Sequence, residues 1–139
     1  MVTATAWISA APARVYGIIA DYRIEHPRIL PGEFRELTVE RGGVGEGTII
    51  AFAMHAFGRI TRSRAAITEP EPGRVLVETM LDGSGVVTTF TVNAARGGSD
   101  VTISTVMPRS GWVERKVAGW FLRGVYKKKL ALLAACAIQ

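Results

Sequence analysis

The chain has 139 residues, of which 48% are hydrophobic and 21% charged, so we expect one domain over residues 1–139 with a substantial apolar core. The single Cys136 excludes an intrachain disulfide framework and any motif of paired cysteines, and no apolar run is long enough to cross a bilayer. The first twenty residues lack the basic segment of a signal peptide, so a cytoplasmic location is expected.

The net charge of +5 comes largely from one basic segment near the C-terminus. Between Glu114 and Gln139, six basic residues stand against Glu114 alone: Arg115, Lys116, Arg123, Lys127, Lys128 and Lys129. Such a run is usually the solvated face of a helix, and no aromatic residues interleave with it at base-stacking spacing, so no nucleic-acid partner is expected. Transient contact with an anionic membrane surface is a better candidate, because Trp120, Phe121 and Tyr126 lie nearby.

The N-terminal segment predicts one strand and two short helices. Alternation of apolar and polar residues over Val2–Ile8 is typical of a strand with one buried face. Ser9 is the predicted N-cap of a first helix, with Pro12 in its first turn. A second helical stretch over Asp21–Leu30 contains a proline and should end at Pro31.

The rest of the chain predicts an antiparallel meander followed by one long helix. Six strands separated by Gly- and Pro-rich turns are expected at Phe34–Glu40, Thr48–Ala56, Arg59–Glu69, Arg74–Met80, Val86–Ala94 and Val101–Met107. After Pro108, a helix of more than five turns should cover the apolar face of the sheet. Its predicted apolar side carries Val113, Val117, Trp120, Phe121, Gly124 and Val125.

Several short motifs resemble a known family by their order and spacing. They are ISAAPARVY at 8–16, ADY at 20–22, HP at 26–27, LP at 30–31, GEGT at 45–48 and EPEPGR at 69–74. Together they resemble the START-like polyketide cyclase/dehydrase and lipid transport superfamily, the SRPBCC proteins. The resemblance implies an α+β helix-grip fold, in which a curved antiparallel sheet of about seven strands wraps around the C-terminal helix and leaves a cavity. Its members bind lipids, hormones, quinones or polyketides, and only some are enzymes.

The strand period selects the residues that should face this cavity. The bulkier alternate set places Ile50, Phe52 and Met54 inward, and Arg62 and Arg64 should point to solvent. The predicted register sets Ile67 opposite Leu76 and Ala65 opposite Glu78. It continues with Leu76, Phe90 and Ile103 in one row and Glu78, Thr88 and Thr105 in the next. The predicted ligand-binding residues are Ile50, Phe52, Met54, Ser63, Ala65, Leu76, Glu78, Thr88, Phe90, Ile103, Thr105, Val117, Trp120, Phe121 and Gly124. His26 and Leu30 are the predicted residues of the pocket mouth.

Glu78 is the weak catalytic candidate of this set. A buried Glu78 should be protonated or accept a hydrogen bond from Thr88 or Thr105, whereas an exposed position on the outer strand face is equally compatible with the sequence. For His26, the alternative to a contact at the pocket mouth is a surface loop residue, and the sequence favours that alternative. No metal site, cofactor site or covalent nucleophile is predicted, because two histidines and one helical cysteine form no such motif and residues 42–47 lead into a strand.

Three functions remain open from the sequence. The first is binding or transport of a small hydrophobic molecule such as a lipid, quinone or polyketide-like ring system. The second is a cyclase or dehydrase that uses Glu78 as a general acid/base. The third is an interaction module with a filled core and a basic helix. The oligomeric state is not predicted.

Overall fold

The computed structural model describes residues 1–108 and 111–138, and the elements below are those of the described residues. Seven strands and two α-helices follow one another, with a short 3₁₀ helix at His26–Ile29. They are β1 (Val2–Ile8), α1 (Pro12–Ala20), β2 (Phe34–Arg41), β3 (Ile49–Ala56), β4 (Arg59–Glu71), β5 (Val75–Met80), β6 (Val87–Ala95), β7 (Gly98–Val106) and α2 (Trp112–Ala137).

All strands form one curved antiparallel sheet in the order β1-β7-β6-β5-β4-β3-β2. This confirms the predicted helix-grip fold class. The register shifts in three places, within β2 between Arg35 and Thr38 and again between Val39 and Arg41, and within β4 between Thr68 and Glu71. The shift in β4 surrounds Pro70, which has no N–H to give to the ladder. Such irregularities increase local twist and help a sheet to bend around a helix.

The strand registers were predicted correctly for β5, β6 and β7 but not for β4. Glu78 pairs with Thr88, and Thr88 pairs with Thr105, as the alternation indicated. The prediction that Ala65 opposes Glu78 is wrong, because Ala65 pairs with Met80 and Ile67 pairs with Glu78. The shift is two residues, so each side chain stays on its expected face.

The end of α1 places Tyr22 inside the molecule. The N-cap of α1 is Ala11 rather than Ser9, and Pro12 starts the helix. The helix ends at Asp21, whose Oδ1 accepts hydrogen bonds from the backbone N–H groups of Arg23 and Ile24. The Tyr22 N–H donates to the carbonyl of Gly43 at 2.8 Å, which joins this turn to the loop before β3. The tight turn directs the Tyr22 ring inward, where it is 1% exposed.

The C-terminal half of α2 packs against the sheet, and its N-terminal half is largely exposed. The buried residues of the C-terminal half are Val125, Tyr126, Lys129, Leu130, Leu133, Cys136 and Ala137. The predicted apolar side is therefore wrong for Val113, Val117 and Trp120, which are 54%, 50% and 74% exposed. No helix in the described part of the chain combines the length and the apolar character that a membrane span requires.

Candidate ligand cavity

A cavity of about 150 Å³ lies between the sheet and the middle of α2. Its lining comes from β2 to β7, the 3₁₀ segment and α2, so distant parts of the sequence meet here. The lining residues are His26, Leu30, Phe34, Leu37, Ile50, Phe52, Met54, Ser63, Glu78, Met80, Val86, Thr88, Thr105, Leu122, Tyr126 and Lys129. Apolar side chains dominate, and a small set of polar groups converges on the same space.

The structure brings many of the predicted strand residues to this cavity. Ile50, Phe52, Met54, Ser63, Glu78, Thr88 and Thr105 all line it. Leu30 lines it as well, and it is half-buried. His26 lines the cavity but is 1% exposed, so its assignment to the mouth is wrong, as is the alternative of a surface loop residue.

Other predicted residues do not line the cavity. Ala65, Leu76, Phe90 and Ile103 face the same side of the sheet but are fully buried in the packed core beside it. On α2, Val117, Trp120 and Gly124 are exposed. Phe121 instead contacts the tip of the β3–β4 hairpin, where its ring centroid lies 5.0 Å from that of Phe57. The face of α2 that was predicted to line the cavity is therefore not the face that does so, which carries Leu122, Tyr126 and Lys129.

Sequence reasoning missed seven lining residues. Phe34 and Leu37 on β2, Met80 and Val86 beside the β5–β6 turn, and Leu122 on α2 supply apolar wall. Tyr126 and Lys129 supply polar groups from α2. The spacing of residues 122, 126, 129 and 133 is that of one helix face and could have indicated this side of α2.

Glu78 is held in the cavity by a tyrosine. The Tyr22 hydroxyl donates a hydrogen bond of 2.5 Å to Glu78 Oε2, whereas the predicted partners Thr88 and Thr105 bond to each other. Burial and the neighbouring Glu78 raise the pKa of Tyr22 well above its usual value, so Tyr22 acts as a neutral donor. The expectation of a threonine partner is thus wrong.

His26 packs against the Tyr22 side of this hydrogen-bonded pair. Its ring stacks on Tyr22 with centroids 4.2 Å apart, and its Nδ1 lies 2.6 Å from the carbonyl oxygen of Ile19. Because a carbonyl only accepts, Nδ1 carries a proton. Burial, together with nearby Lys129, lowers the pKa of His26 well below its usual range, so the ring is neutral and Nε2 keeps its lone pair.

Lys129 is the most unexpected member of the cavity. It was predicted to belong to a solvated basic face, but it is 4% exposed. Its Nζ lies 4.8 Å from the centroid of the Phe90 ring and 5.7 Å from that of Phe34. Within the described residues its amine has no hydrogen-bond acceptor and no ion-pair partner. Burial lowers its pKa, and the Glu78 carboxylate offsets part of that shift.

A chain of hydroxyl groups forms the remaining polar wall. Thr105 Oγ1 lies 2.7 Å from Thr88 Oγ1 and 2.5 Å from the Tyr126 hydroxyl. Burial raises the pKa of Tyr126, so its hydroxyl is neutral. The three hydroxyl groups of Thr88, Thr105 and Tyr126 are therefore hydrogen-bonded within the wall, and all three residues line the cavity.

The arrangement combines an apolar container with an acid/base pair. Glu78 and Lys129 are near enough for their charges to interact, yet they make no ion pair. A polar group of a ligand could lie between them and bond to both. Within the described residues, no cluster of three His, Cys, Asp or Glu side chains is arranged to hold a metal ion.

Comparison with known proteins places this geometry in context. A family model described as polyketide cyclase/dehydrase and lipid transport matches residues 1–137. The solution structure of the KanY protein is similar over 99% of this chain and 97% of that one, with 26% identity and a TM-score of 0.89. No curated protein matches the sequence significantly.

Two more distant structures share the fold. A protein from Thermus thermophilus has 21% identity and a TM-score of 0.78, over 99% of this chain and 96% of that one. Major latex-like protein 151 from Panax ginseng has 13% identity and a TM-score of 0.77, over 99% and 97% of the two chains.

Proposed function

Since the chain belongs to the polyketide cyclase/dehydrase and lipid transport family, we propose that its cavity binds a small, mostly apolar molecule. The observation that carries the proposal is the space between the sheet and α2, which mostly apolar side chains line without filling. It favours binding over an interaction module with a filled core. Binding or transport of a lipid, quinone or polyketide-like ring remains the first candidate, and a cytoplasmic location remains a prediction from the sequence.

The cavity volume sets the size of the ligand portion that fits without rearrangement. A cavity of about 150 Å³ suffices for a benzene-sized molecule. Burying one aromatic ring removes roughly 150–250 Å² from water, which corresponds to about 4–6 kcal/mol of gross transfer free energy. Without any association cost this corresponds to a dissociation constant of about 0.04–1 mM, and the cost of association weakens the binding of a bare ring further. Tighter binding requires polar contacts or a wider cavity.

Toluene tests the proposal directly in a titration followed by ¹⁵N and methyl NMR. We expect saturable shifts at Met54, Met80 and Leu122. Ser63→Phe should fill part of the cavity and weaken binding at least about tenfold, because the site is small. The matched control is Thr68→Phe, which places the same ring on the exposed side of β4. Linear, unsaturable shifts, or equal binding by both variants, would refute the proposal.

A second candidate is acid–base catalysis by Glu78 in the same cavity. It is favoured by the position of Glu78, which lines an apolar cavity, accepts from Tyr22 and lies near Lys129. A carboxylate in this setting can remove a proton next to a ligand carbonyl and return it, which is the proton transfer that cyclisation and dehydration need.

Cyclohexanone in deuterated water tests this candidate by NMR. The wild type should accelerate hydrogen–deuterium exchange beside the carbonyl, and Glu78→Gln should reduce that acceleration at least about 100-fold. Toluene binding should change less than about threefold, because the amide keeps the shape of the carboxylate. If the wild type gives no acceleration over buffer, catalysis by Glu78 on such ketones is excluded and binding alone remains.

The exposed half of α2 is our candidate for transient contact with an anionic membrane surface. Trp112 and Trp120 are 66% and 74% exposed. Basic residues flank them at Arg115, Lys116, Arg123 and Lys127. Aromatic side chains favour the interface of a bilayer, and the basic residues are attracted to its anionic lipids.

A further inference from the structure

The amine of Lys129 stands out because it is buried in a cavity and lacks a hydrogen-bond acceptor among the described residues. Buried amines are almost always paired, since desolvation of an ammonium group is costly. Here the neighbours are two ring faces and a carboxylate that makes no ion pair with the amine. The amine is therefore open toward the cavity.

The charges around the cavity favour a neutral ligand group at this amine. Glu78 is the acidic group that interacts with Lys129, and His26 is neutral. A ligand carboxylate would bring a second negative charge beside Glu78 in an apolar space, which low dielectric makes unfavourable. An uncharged carbonyl oxygen can accept from Lys129 without that repulsion.

Building on the proposed ligand binding, we propose that Lys129 condenses with the carbonyl group of a small aromatic or aliphatic aldehyde or ketone in the cavity to form an imine. The ammonium first gives one proton to the carboxylate of Glu78, the acidic group that interacts with it. The nitrogen then attacks the carbonyl carbon, and a second proton moves from nitrogen to the former carbonyl oxygen to give a neutral carbinolamine. The base returns the first proton to this hydroxyl group, which leaves as water while the nitrogen lone pair forms the C=N bond, so a protonated imine with one N–H remains.

The reaction leaves the charge at the Lys129 nitrogen unchanged, so the contacts around this nitrogen stabilise the product as they do the reactant. One ammonium and one carbonyl yield one protonated imine and one water, so the positive charge is retained at the same nitrogen. The contacts that stabilise a cation there, the Glu78 carboxylate and the faces of Phe34 and Phe90, are kept in the product. The lowered pKa of Lys129 makes more free amine available at neutral pH than at an exposed lysine.

Reductive trapping with benzaldehyde and sodium cyanoborohydride tests the proposal. Peptide mapping of the wild type should locate the first benzyl group on Lys129, at a rate at least about tenfold above that of any exposed lysine. Lys129→Met should remove this fast phase, whereas Lys127→Met, which changes an exposed lysine two residues away, should leave it intact. Toluene should slow the fast phase by competition.

The outcomes separate this inference from the proposed function. Labelling that follows exposure and spreads over the surface lysines overturns imine formation even if toluene binds normally. Failure of toluene to bind as well overturns both. The site is mapped on the wild-type protein, so the result does not depend on the folding of Lys129→Met.

Discussion

Replacing Lys129 by methionine should make the protein more stable at neutral pH. Methionine has a similar length and volume, and the cavity already contacts the lysine stem. The ammonium group loses several kcal/mol of hydration on burial. Attraction to Glu78 and two cation–π contacts recover part of this loss. We expect a net gain of about 2 kcal/mol, within the range seen when buried ions are replaced by apolar groups.

The gain should depend on pH in a defined direction. The pKa of Lys129 is lowered in the folded state, so below that value the ammonium is present in both states and its burial penalty is complete. As pH rises from the lowered pKa to about 10.4, the usual value, the unfolded chain binds more protons than the folded chain. Wild-type stability then rises, and the advantage of methionine shrinks. His26 faces the same group and stays neutral in this alkaline range, because burial lowers its pKa. Glu78, which also faces Lys129, is present in wild type and variant alike.

Urea unfolding at about pH 7 and pH 9.5 measures both effects. A gain of about 2 kcal/mol corresponds to roughly 6–10 °C in Tm for a chain of this size. Lys127→Met serves as the control, because it removes an equal charge from an exposed position. The raised pKa values of Tyr22 and Tyr126 affect wild type and variant alike, so they cancel in the difference. Equal stability at pH 7, or a gain that does not change with pH, would refute the assignment of Lys129 as a strained, buried amine.

Three further predictions address the other polar contacts and the exposed helix. Tyr22→Phe should lower the free energy of unfolding by about 1.5–3 kcal/mol, because Glu78 loses its donor, and urea unfolding measures the loss. Thr105→Val should lower it by about 1–2 kcal/mol in the same assay, because the Tyr126 hydroxyl then loses its nearest partner. Trp120→Gln should weaken sedimentation with phosphatidylserine vesicles at least about threefold, and unchanged pelleting would remove the membrane contact from consideration.

The fold was predictable because its signals are local. Alternating apolar residues with Gly- and Pro-rich turns define the strands, and the two-residue β6–β7 connection leaves little freedom of register. The β4–β5 register could not be obtained in this way. The ladder is irregular between Thr68 and Glu71, around Pro70, and the pairing beyond it differs by two residues from the predicted register.

The cavity was predictable on the sheet and not on the helix. A strand has two faces, so one correct choice assigns every side chain, as the row from Glu78 to Thr105 illustrates. α2 has apolar residues around much of its circumference, so hydrophobicity alone does not select the face that packs. Trp120 is exposed while Lys129 is buried, which reverses the usual preference of both residue types. The Tyr22–Glu78 contact spans 56 residues of sequence and depends on the turn after α1.

The polar groups of the cavity fall into two classes, and the difference between them bears on function. Tyr22 bonds to Glu78, and Thr105 bonds to Tyr126, so these polar groups are satisfied within the wall and cost little stability. Lys129 has no such partner within the described residues and lowers the stability of the empty protein. A ligand acceptor that bonds to this amine replaces the hydrogen bond to water that the amine lost on folding. The affinity of such a ligand therefore exceeds what its apolar area alone provides. Selection for stability alone would remove such an amine, which is why the cavity is better explained by what it binds than by how it packs.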